Sequence, residues 1–235
     1  MKYFFALLLT AFFTTSFGQT IINDKNAEVR NVGDFWGIKV SGGIDVYLSQ
    51  SSENAVAISA STQKMKDDID TKIVNGILVI SYNSKSYSMN EKRNLRAYIS
   101  FKTLQSIEGS GACDFNIQET LKVNALRLTL SGACELKGKI DINDIDMKIS
   151  GASTVKATGK VKNLKLEASG ASDMKNYNLQ VENLIADLSG ASDVKVYITN
   201  SITVKASGAS SLNYSGNPEK VTVQTSGASS VTQRK

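Results

Sequence analysis

The sequence predicts an all-β fold, a β-solenoid whose coils are about 19 residues long. The first observation behind this prediction is a tetrapeptide, Ser-Gly-Ala followed by Ser or Cys, that occurs seven times. Its copies start at Ser110, Ser131, Ser150, Ser169, Ser189, Ser207 and Ser226. Successive starts differ by 21, 19, 19, 20, 18 and 19 residues. This period is too short for a helical hairpin repeat and too long for one strand, but it suits a coil that stacks on the preceding coil.

The second observation is an alternation of apolar and polar residues on both sides of the tetrapeptide. The third residue after each alanine is apolar: Phe115, Leu136, Val155, Met174, Val194, Leu212 and Val231. Upstream of the second copy, the residues Leu126, Leu128 and Leu130 alternate with Arg127 and Thr129. A period of two predicts strands with one buried face. We therefore expect two half-buried strands in each coil, with their apolar residues stacked in a continuous core.

The glycine of each tetrapeptide explains how so short a coil can turn. Glycine tolerates positive φ angles and a crowded backbone. The neighbouring alanine and serine are small enough for the corners of adjacent coils to stack at the strand spacing of about 4.8 Å. We expect the tetrapeptide to be a corner, and we expect further turns at Asn143-Asp144, Lys162-Asn163 and Gly216-Asn217-Pro218.

Residues 19–105 lack the regular repeat but still carry strand patterns. We predict strands at residues 35–40, 44–48, 55–60, 69–74, 77–82 and 95–101. Ser41-Gly42-Gly43 is a degenerate form of the corner, and Asn75-Gly76 is a strong hairpin signal. The polar stretch 83–94 is predicted to be an exposed, mobile loop. This region is either a set of irregular first coils or a small antiparallel unit that caps the solenoid, which then spans residues 106–235.

Residues 1–18 have the pattern of a secretory signal peptide. Lys2 precedes a short apolar run, and the small residues Ser16 and Gly18 precede a cleavage point before Gln19. The run is too short to span a bilayer, and no later stretch is apolar enough to do so. We therefore expect an exported protein that is periplasmic, on the outer surface or secreted.

The composition disfavours several classes of function. The chain has 27 Lys+Arg against 22 Asp+Glu, and the excess is spread evenly, so we expect no nucleic-acid partner. Histidine is absent, which removes the commonest general base and metal ligand. We accordingly expect no metal site, no cofactor and no catalytic residues. The serines at the last corner position (Ser153, Ser172, Ser192, Ser210 and Ser229) are expected to bond the nearby backbone.

Cysteines occupy that same corner position in the first two repeats, at Cys113 and Cys134. Stacked in register, they come close enough for a disulfide, which export would permit. Two free thiols in the corner column are the alternative.

Just after the corners, an acidic column (Asp114, Glu135, Asp173 and Asp193) lies beside a lysine column (Lys137, Lys156, Lys175 and Lys195). These columns form either a charge-balanced solvent face or a flat surface for glycan or protein binding.

The signal peptide, the Ser-Gly-Gly-Ile corner at residues 41–44 and the train of Ser-Gly-Ala-Ser repeats resemble the head GIN domain family. Its members are described as putative auto-transporter adhesins and are common in Bacteroidetes. The resemblance runs from Val29 to the C-terminus. It implies a right-handed β-helical architecture and a cell-envelope location, and it transfers no catalytic or binding residues.

We expect a non-catalytic role in adhesion or interaction, with a glycan or an envelope protein as partner. The alternative is a glycan-binding module or a carbohydrate-active enzyme that uses the N-terminal region. The residues for this alternative lie in and around the polar loop: Tyr82, Tyr87, Arg93 and Arg96. A further expectation is a homo-oligomer formed through the open C-terminal coil, residues 221–231.

Overall fold

The structure confirms the β-solenoid of about seven coils. It is a computed structural model that describes residues 24–83 and 93–234. In chain order the elements are β1 (Glu28–Arg30), β2 (Gly37–Ser41), β3 (Asp45–Gln50), β4 (Ala55–Ser59), α1 (Gln63–Asp67), β5 (Ile69–Val74), β6 (Ile77–Tyr82), β7 (Arg96–Phe101), β8 (Ser106–Ser110), β9 (Asp114–Leu130), β10 (Glu135–Ile149), β11 (Thr154–Ala168), β12 (Asp173–Leu188), β13 (Asp193–Ala206), β14 (Ser211–Ser215), β15 (Lys220–Thr225) and β16 (Ser230–Gln233).

Strands β9 to β13 stack in parallel, and equivalent residues of successive coils pair with each other. Leu136, for example, lies between Phe115 and Val155. The apolar residues that alternate along each strand form columns inside the solenoid, and these columns belong to one continuous core. A single coil could not bury its apolar face, so each coil is stabilised by its neighbours.

The expectation of two separate strands per coil was wrong. Each regular coil is one strand of 14 to 17 residues that bends without ending. Asn143-Asp144 and Lys162-Asn163, which we expected to be turns, lie inside β10 and β11. The pairing resumes at once after the bend, at Asp144 with Asn163, so the bend costs few backbone hydrogen bonds. Gly216-Asn217-Pro218 does separate two strands, β14 and β15.

The Ser-Gly-Ala corners are confirmed, and Gly151 illustrates why they need glycine. Its φ is +74°, and a Cβ there would lie against the carbonyl oxygen of Gly132 in the preceding coil. That oxygen accepts a 2.7 Å hydrogen bond from the N–H of Ala152. Glycine is therefore required both by the backbone conformation and by the close stacking of corners.

The N-terminal region combines the two architectures that the sequence left open. Strands β2 and β3 flank the Ser41-Gly42-Gly43 corner and pair in parallel with β8 and β9, as coils do. Antiparallel pairs β1–β4, β4–β7 and β5–β6 are added to this coil framework. The predicted hairpin is confirmed between β5 and β6, with φ angles of 51° at Asn75 and 75° at Gly76.

Helix α1 was not predicted. Thr62 caps it by accepting a 3.3 Å hydrogen bond from the N–H of Met65, whose side chain is buried. The predicted signal segment, residues 1–18, and most of the predicted loop, residues 84–92, lie outside the described residues. Within residues 24–83 and 93–234, none of the helical structure is long and apolar enough to cross a membrane.

Candidate functional site

The corner position that follows Ser-Gly-Ala is buried and bonds the backbone of its own corner. The Ser172 hydroxyl donates to the carbonyl of Ser169 at 2.7 Å, and Ser192 and Ser210 make the equivalent bond at 2.8 Å. The thiol of Cys134 donates to the Ser131 carbonyl at 3.2 Å in the same way. The structural role expected for these hydroxyls is therefore confirmed at these corners.

Both cysteines are buried and carry free thiols. They lie against each other, and the N–H of Cys113 donates to Sγ of Cys134 at 3.4 Å. The adjacent Cys134 side chain lowers the pKa of Cys113, and the same contact together with burial raises the pKa of Cys134. The pair thus gives up a first proton more readily than an isolated thiol. A disulfide between them on export stays a prediction.

The two charge columns lie side by side as the repeat predicted. Strand pairing aligns Asp114 with Glu135, and Asp173 with Asp193. Lys156 bridges Glu135 at 2.7 Å, and Lys175 contacts Asp173 at 3.1 Å and Asp193 at 3.6 Å. These pairs are solvent-exposed, so they offset like-charge repulsion along the columns without adding much stability.

Towards the N-terminus the same face ends in a cluster of acids and tyrosines. Tyr47 and Tyr98 stack with ring centroids 5.1 Å apart. The Tyr98 hydroxyl donates to Asp24 at 2.8 Å, and burial together with this bond raises the pKa of Tyr98 to about 12. In the adjacent column, Asp45 pairs in register with Asp114 and Arg96. Burial, and then the charge of Asp114, raise the pKa of Asp45.

In the described part of the chain, the predicted loop residues make two different contacts. The guanidinium of Arg93 lies 6.0 Å from the centre of the Tyr82 ring. Arg96 instead bonds Asp24 at 3.3 Å in the cluster with Tyr98. Tyr87 lies outside the described residues.

A long groove of about 880 Å³ follows the solenoid over several coils. We call it the Trp36 groove, after the indole at its N-terminal end, which is 40% exposed. Its lining includes one column of side chains in register: Arg127, Asp146, Lys165 and Ile185. The backbone N–H of Trp36 donates to the carbonyl of Gly76 at 2.9 Å, and a Cβ at Gly76 would collide with the indole. The hairpin turn therefore fixes the position of the indole.

Asp146 is the acidic member of this column. Its Oδ1 is buried and has no hydrogen-bond partner among the described residues. Arg127 and Lys165 flank it on the neighbouring strands. Lys165 pairs with Glu167 at 3.0 Å. Asp146 as a whole is half-buried, so its carboxylate lines the groove between these two cations.

One wall of the groove is a ladder of side-chain amides. Asn163 donates to Asp144 at 2.8 Å, and Asn183 donates to Asn163 at 2.9 Å. These bonds link successive coils and hold the amides in fixed orientations. The wall therefore repeats the same polar groups once per strand along the solenoid axis.

A second groove, of about 560 Å³, lies on another part of the coil surface. Its lining includes the tyrosines Tyr177 and Tyr197 and the lysines Lys122, Lys139 and Lys160. The guanidinium of Arg234 lies 5.6 Å from the centre of the Tyr177 ring. In the parts of the chain that the structure describes, no three His, Cys, Asp or Glu residues are grouped so that they could hold a metal ion.

Sequence reasoning missed the Trp36 groove. Its column could have been found by counting back from the corners, because Arg127, Asp146 and Lys165 each stand four residues before the next Ser-Gly-Ala. No sequence signal indicated that Trp36 would lie beside this column. Its position depends on the fold of the N-terminal region.

A family model described as "Putative auto-transporter adhesin, head GIN domain" matches residues 34–218. No curated protein matches the chain. A crystal structure of a putative adhesin from Bacteroides fragilis is similar over 90% of this chain and 98% of its own, with a TM-score of 0.82 and 21% identity. A putative adhesin from Parabacteroides merdae covers 89% of this chain and 95% of its own, with a TM-score of 0.71 and 17% identity.

A further solved structure, described as a putative lipid binding protein from Parabacteroides distasonis, is also similar. It covers 90% of this chain and 98% of its own, with a TM-score of 0.64 and 18% identity. At such identities the similarity establishes the shared fold and leaves the ligand of this chain to be argued from its own residues.

Proposed function

The chain belongs to the head GIN domain family of putative auto-transporter adhesins, and from that premise we propose that it is an exported, non-catalytic adhesion protein that binds glycan chains in the Trp36 groove. The pattern of residues 1–18 supports export. The family description supports adhesion. The glycan is inferred from the chemistry of the groove.

The observation that carries the proposal is the column of Arg127, Asp146 and Lys165, a carboxylate between two cations in the groove that Trp36 ends. Each sugar hydroxyl can donate to a carboxylate and accept from a guanidinium or ammonium group. Pyranose rings also have apolar C–H faces, which pack on an exposed aromatic ring. Asp146, Arg127 and Lys165 together with Trp36 supply these complementary contacts.

The shape of the site favours a polymer over a small molecule. The groove crosses several coils and is open to solvent, and its amide wall repeats from Asp144 to Asn183. A linear polysaccharide has a similar repetition, so successive sugars could meet equivalent groups. The weak affinity of each sugar would then add up along the polysaccharide.

A second candidate function, a carbohydrate-active enzyme, is favoured by the cluster at Asp45. A carboxyl group with a raised pKa beside a second acid, Asp114, and a cation, Arg96, is an arrangement that glycosidic bond cleavage can use. Neither of the two grooves described above is lined by these residues. The cluster and the proposed glycan-binding groove are therefore separate places on the molecule.

The test is a glycan array followed by calorimetric titration of the best ligand with purified protein. We expect Trp36→Ala and Asp146→Asn each to weaken binding by on the order of tenfold or more, because each removes a central contact. Tyr197→Ala is the matched control, since it removes an exposed aromatic residue that does not line the Trp36 groove. It should leave the affinity unchanged.

The proposal fails if no glycan binds, or if Trp36→Ala binds as tightly as the unchanged protein. Chromatography of the bound glycan after long incubation separates the two candidate functions. Intact glycan supports adhesion. Shortened products that disappear in Asp45→Asn would support the enzyme instead.

A further inference from the structure

The apolar columns of the solenoid end uncovered at the C-terminal coil. Val221 continues the column of Leu126, Ile145, Leu164, Leu184 and Ile202, whose exposed fractions are all 4% or less. Val221 itself is 48% exposed, and Val223 in the next column is 41% exposed. Side chains that every earlier coil buries are therefore open to solvent at this end.

The backbone of the last coil is also paired on one side only. Strand β15 pairs with β13, and β16 pairs with β14, and in the described part of the chain neither has a partner on its other side. All six residues of β15 are exposed. A strand edge of this kind presents unpaired N–H and C=O groups that another strand can bond.

The sequence at this edge lacks the charges that normally protect one. From Ala206 to Gln233 the only charged residues are Glu219 and Lys220, so β15 after its first residue and all of β16 are uncharged. Arg234 follows β16, and its guanidinium lies over the Tyr177 ring of an earlier coil. Every one of the strands β9 to β13, by contrast, carries at least three charged residues, with both signs present. Charged side chains on an edge discourage pairing with another chain, and here they are missing where the core is open.

We propose that two copies of this chain associate tail to tail through their C-terminal coils, with β15 and β16 of each copy against those of the other. A partner must follow the outline of the coil to pair both strands and cover Val221 and Val223 together. The terminal coil of a second copy offers the same two strand edges, and a two-fold axis brings equal edges together as antiparallel pairs.

A two-fold arrangement also accounts for the missing charges. In such a contact every residue near the axis meets its own counterpart or a close neighbour, so any charge there would face a like charge. An uncharged edge avoids this repulsion.

The opposite end of the sheet is built of antiparallel strands, β1 and β5, whose outline differs from that of a coil. Head-to-tail stacking into a filament is therefore disfavoured, and association ends at two copies.

The test is sedimentation equilibrium of the purified protein over a wide concentration range. We expect a monomer–dimer equilibrium, and we expect Val223→Lys to raise the dimer dissociation constant by on the order of a hundredfold, because it places like charges at the contact. Thr203→Lys is the matched control. It adds the same charge to an exposed position of β13, one coil away from the edge.

Hydrogen exchange gives a second measurement that needs no variant. Protection of the amides of residues 220–233 should rise with protein concentration, while that of β11 should not change. A monomer at all concentrations, a dimer that survives Val223→Lys, or particles that grow beyond two copies would each overturn the proposal. Glycan binding by the monomer is independent of these outcomes, so this proposal and the proposed function can fail separately.

Discussion

At the scale of single residues, the last position of each corner shows how the solenoid tolerates exchange of Ser and Cys. Both side chains are small, and both donate to the carbonyl three residues earlier, as Ser192 and Cys113 do. The position is buried, so a donor without this acceptor would be costly. The position therefore requires a small side chain that donates one hydrogen bond. Cys113 and Cys134 influence each other's pKa only because the stacking of corners places them side by side.

Asp24 gives a prediction on pH at this scale. Burial alone would raise its pKa, but hydrogen bonds from Tyr98, from the backbone of Asn26 and from Arg96 outweigh burial and lower the pKa below its ordinary value. A carboxylate with a lowered pKa stabilises the fold above the ordinary aspartate range, and this contribution is lost as the pH falls through the lowered pKa.

We therefore expect Asp24→Asn to be less stable than the unchanged protein at neutral pH and to approach it in stability as the pH falls. Urea denaturation at a series of pH values measures this convergence. Asp34→Asn is the control, since its carboxylate is highly exposed and makes only surface contacts in the described part of the chain, with Asn54 and, at 3.6 Å, with Lys102. A stability difference for Asp24→Asn that is constant across the series would contradict the assigned role.

At the scale of elements, the coil is a long bent strand closed by one tight corner. The bend inside β10 and β11 keeps its backbone pairing, whereas the corner replaces strand pairing with Ala-to-Gly hydrogen bonds between coils. Extra residues in the longer repeats are absorbed within strands, for example at Gly138, where the register shifts. The corner is thus the fixed point of every coil.

The corner glycines are therefore predicted to be sensitive to substitution. Gly151→Ala should destabilise the protein by at least about 2 kcal/mol, because it combines a left-handed backbone with a collision against Gly132. Gly33→Ala is the matched control, since a Cβ there meets nothing within 4 Å. It should change stability by less than about 1 kcal/mol. Urea denaturation measures the free energy of unfolding of both variants. An equal loss of stability in the two variants would contradict the role assigned to the corner glycine.

At the scale of the whole molecule, the irregular N-terminal region and the regular coils share one sheet and one core. Strand β8 pairs with β2 on one side and with β9 on the other, so neither sheet nor core is interrupted near residue 105. The boundary predicted there marks a change in repeat regularity. The Trp36 groove crosses it, since Trp36 lies on one side and Arg127 on the other.

This continuity predicts a single unfolding transition. Trp36 is the only tryptophan, so its fluorescence reports on the N-terminal region, while far-ultraviolet circular dichroism is dominated by the long strands. We expect the two signals to change at the same urea concentration, because the N-terminal region is paired and packed as a coil is. Two separated transitions would indicate independent units.

The sequence was sufficient for the repeating part of the fold. The coil period, the inward columns such as Phe115 to Leu212, the stacked corners and the hairpin at Asn75-Gly76 depend on local patterns. Repetition fixes the strand register, because a shift of one residue would turn every apolar side chain outward. The absence of a break inside β10 could not be predicted, since polar residues at a bend look the same whether or not the pairing continues.

Only the tertiary structure decided which residues from distant segments contact each other. It placed Trp36 in the groove that contains Asp146, tied Asp24 to Tyr98 and Arg96, and placed Arg93 over the ring of Tyr82. These neighbours are set by how the N-terminal strands fold back onto the first coils, which no periodicity encodes. The sequence by itself determined the coil, since a coil is stabilised by contacts that repeat. The site depends on contacts that occur once, and these required the complete fold.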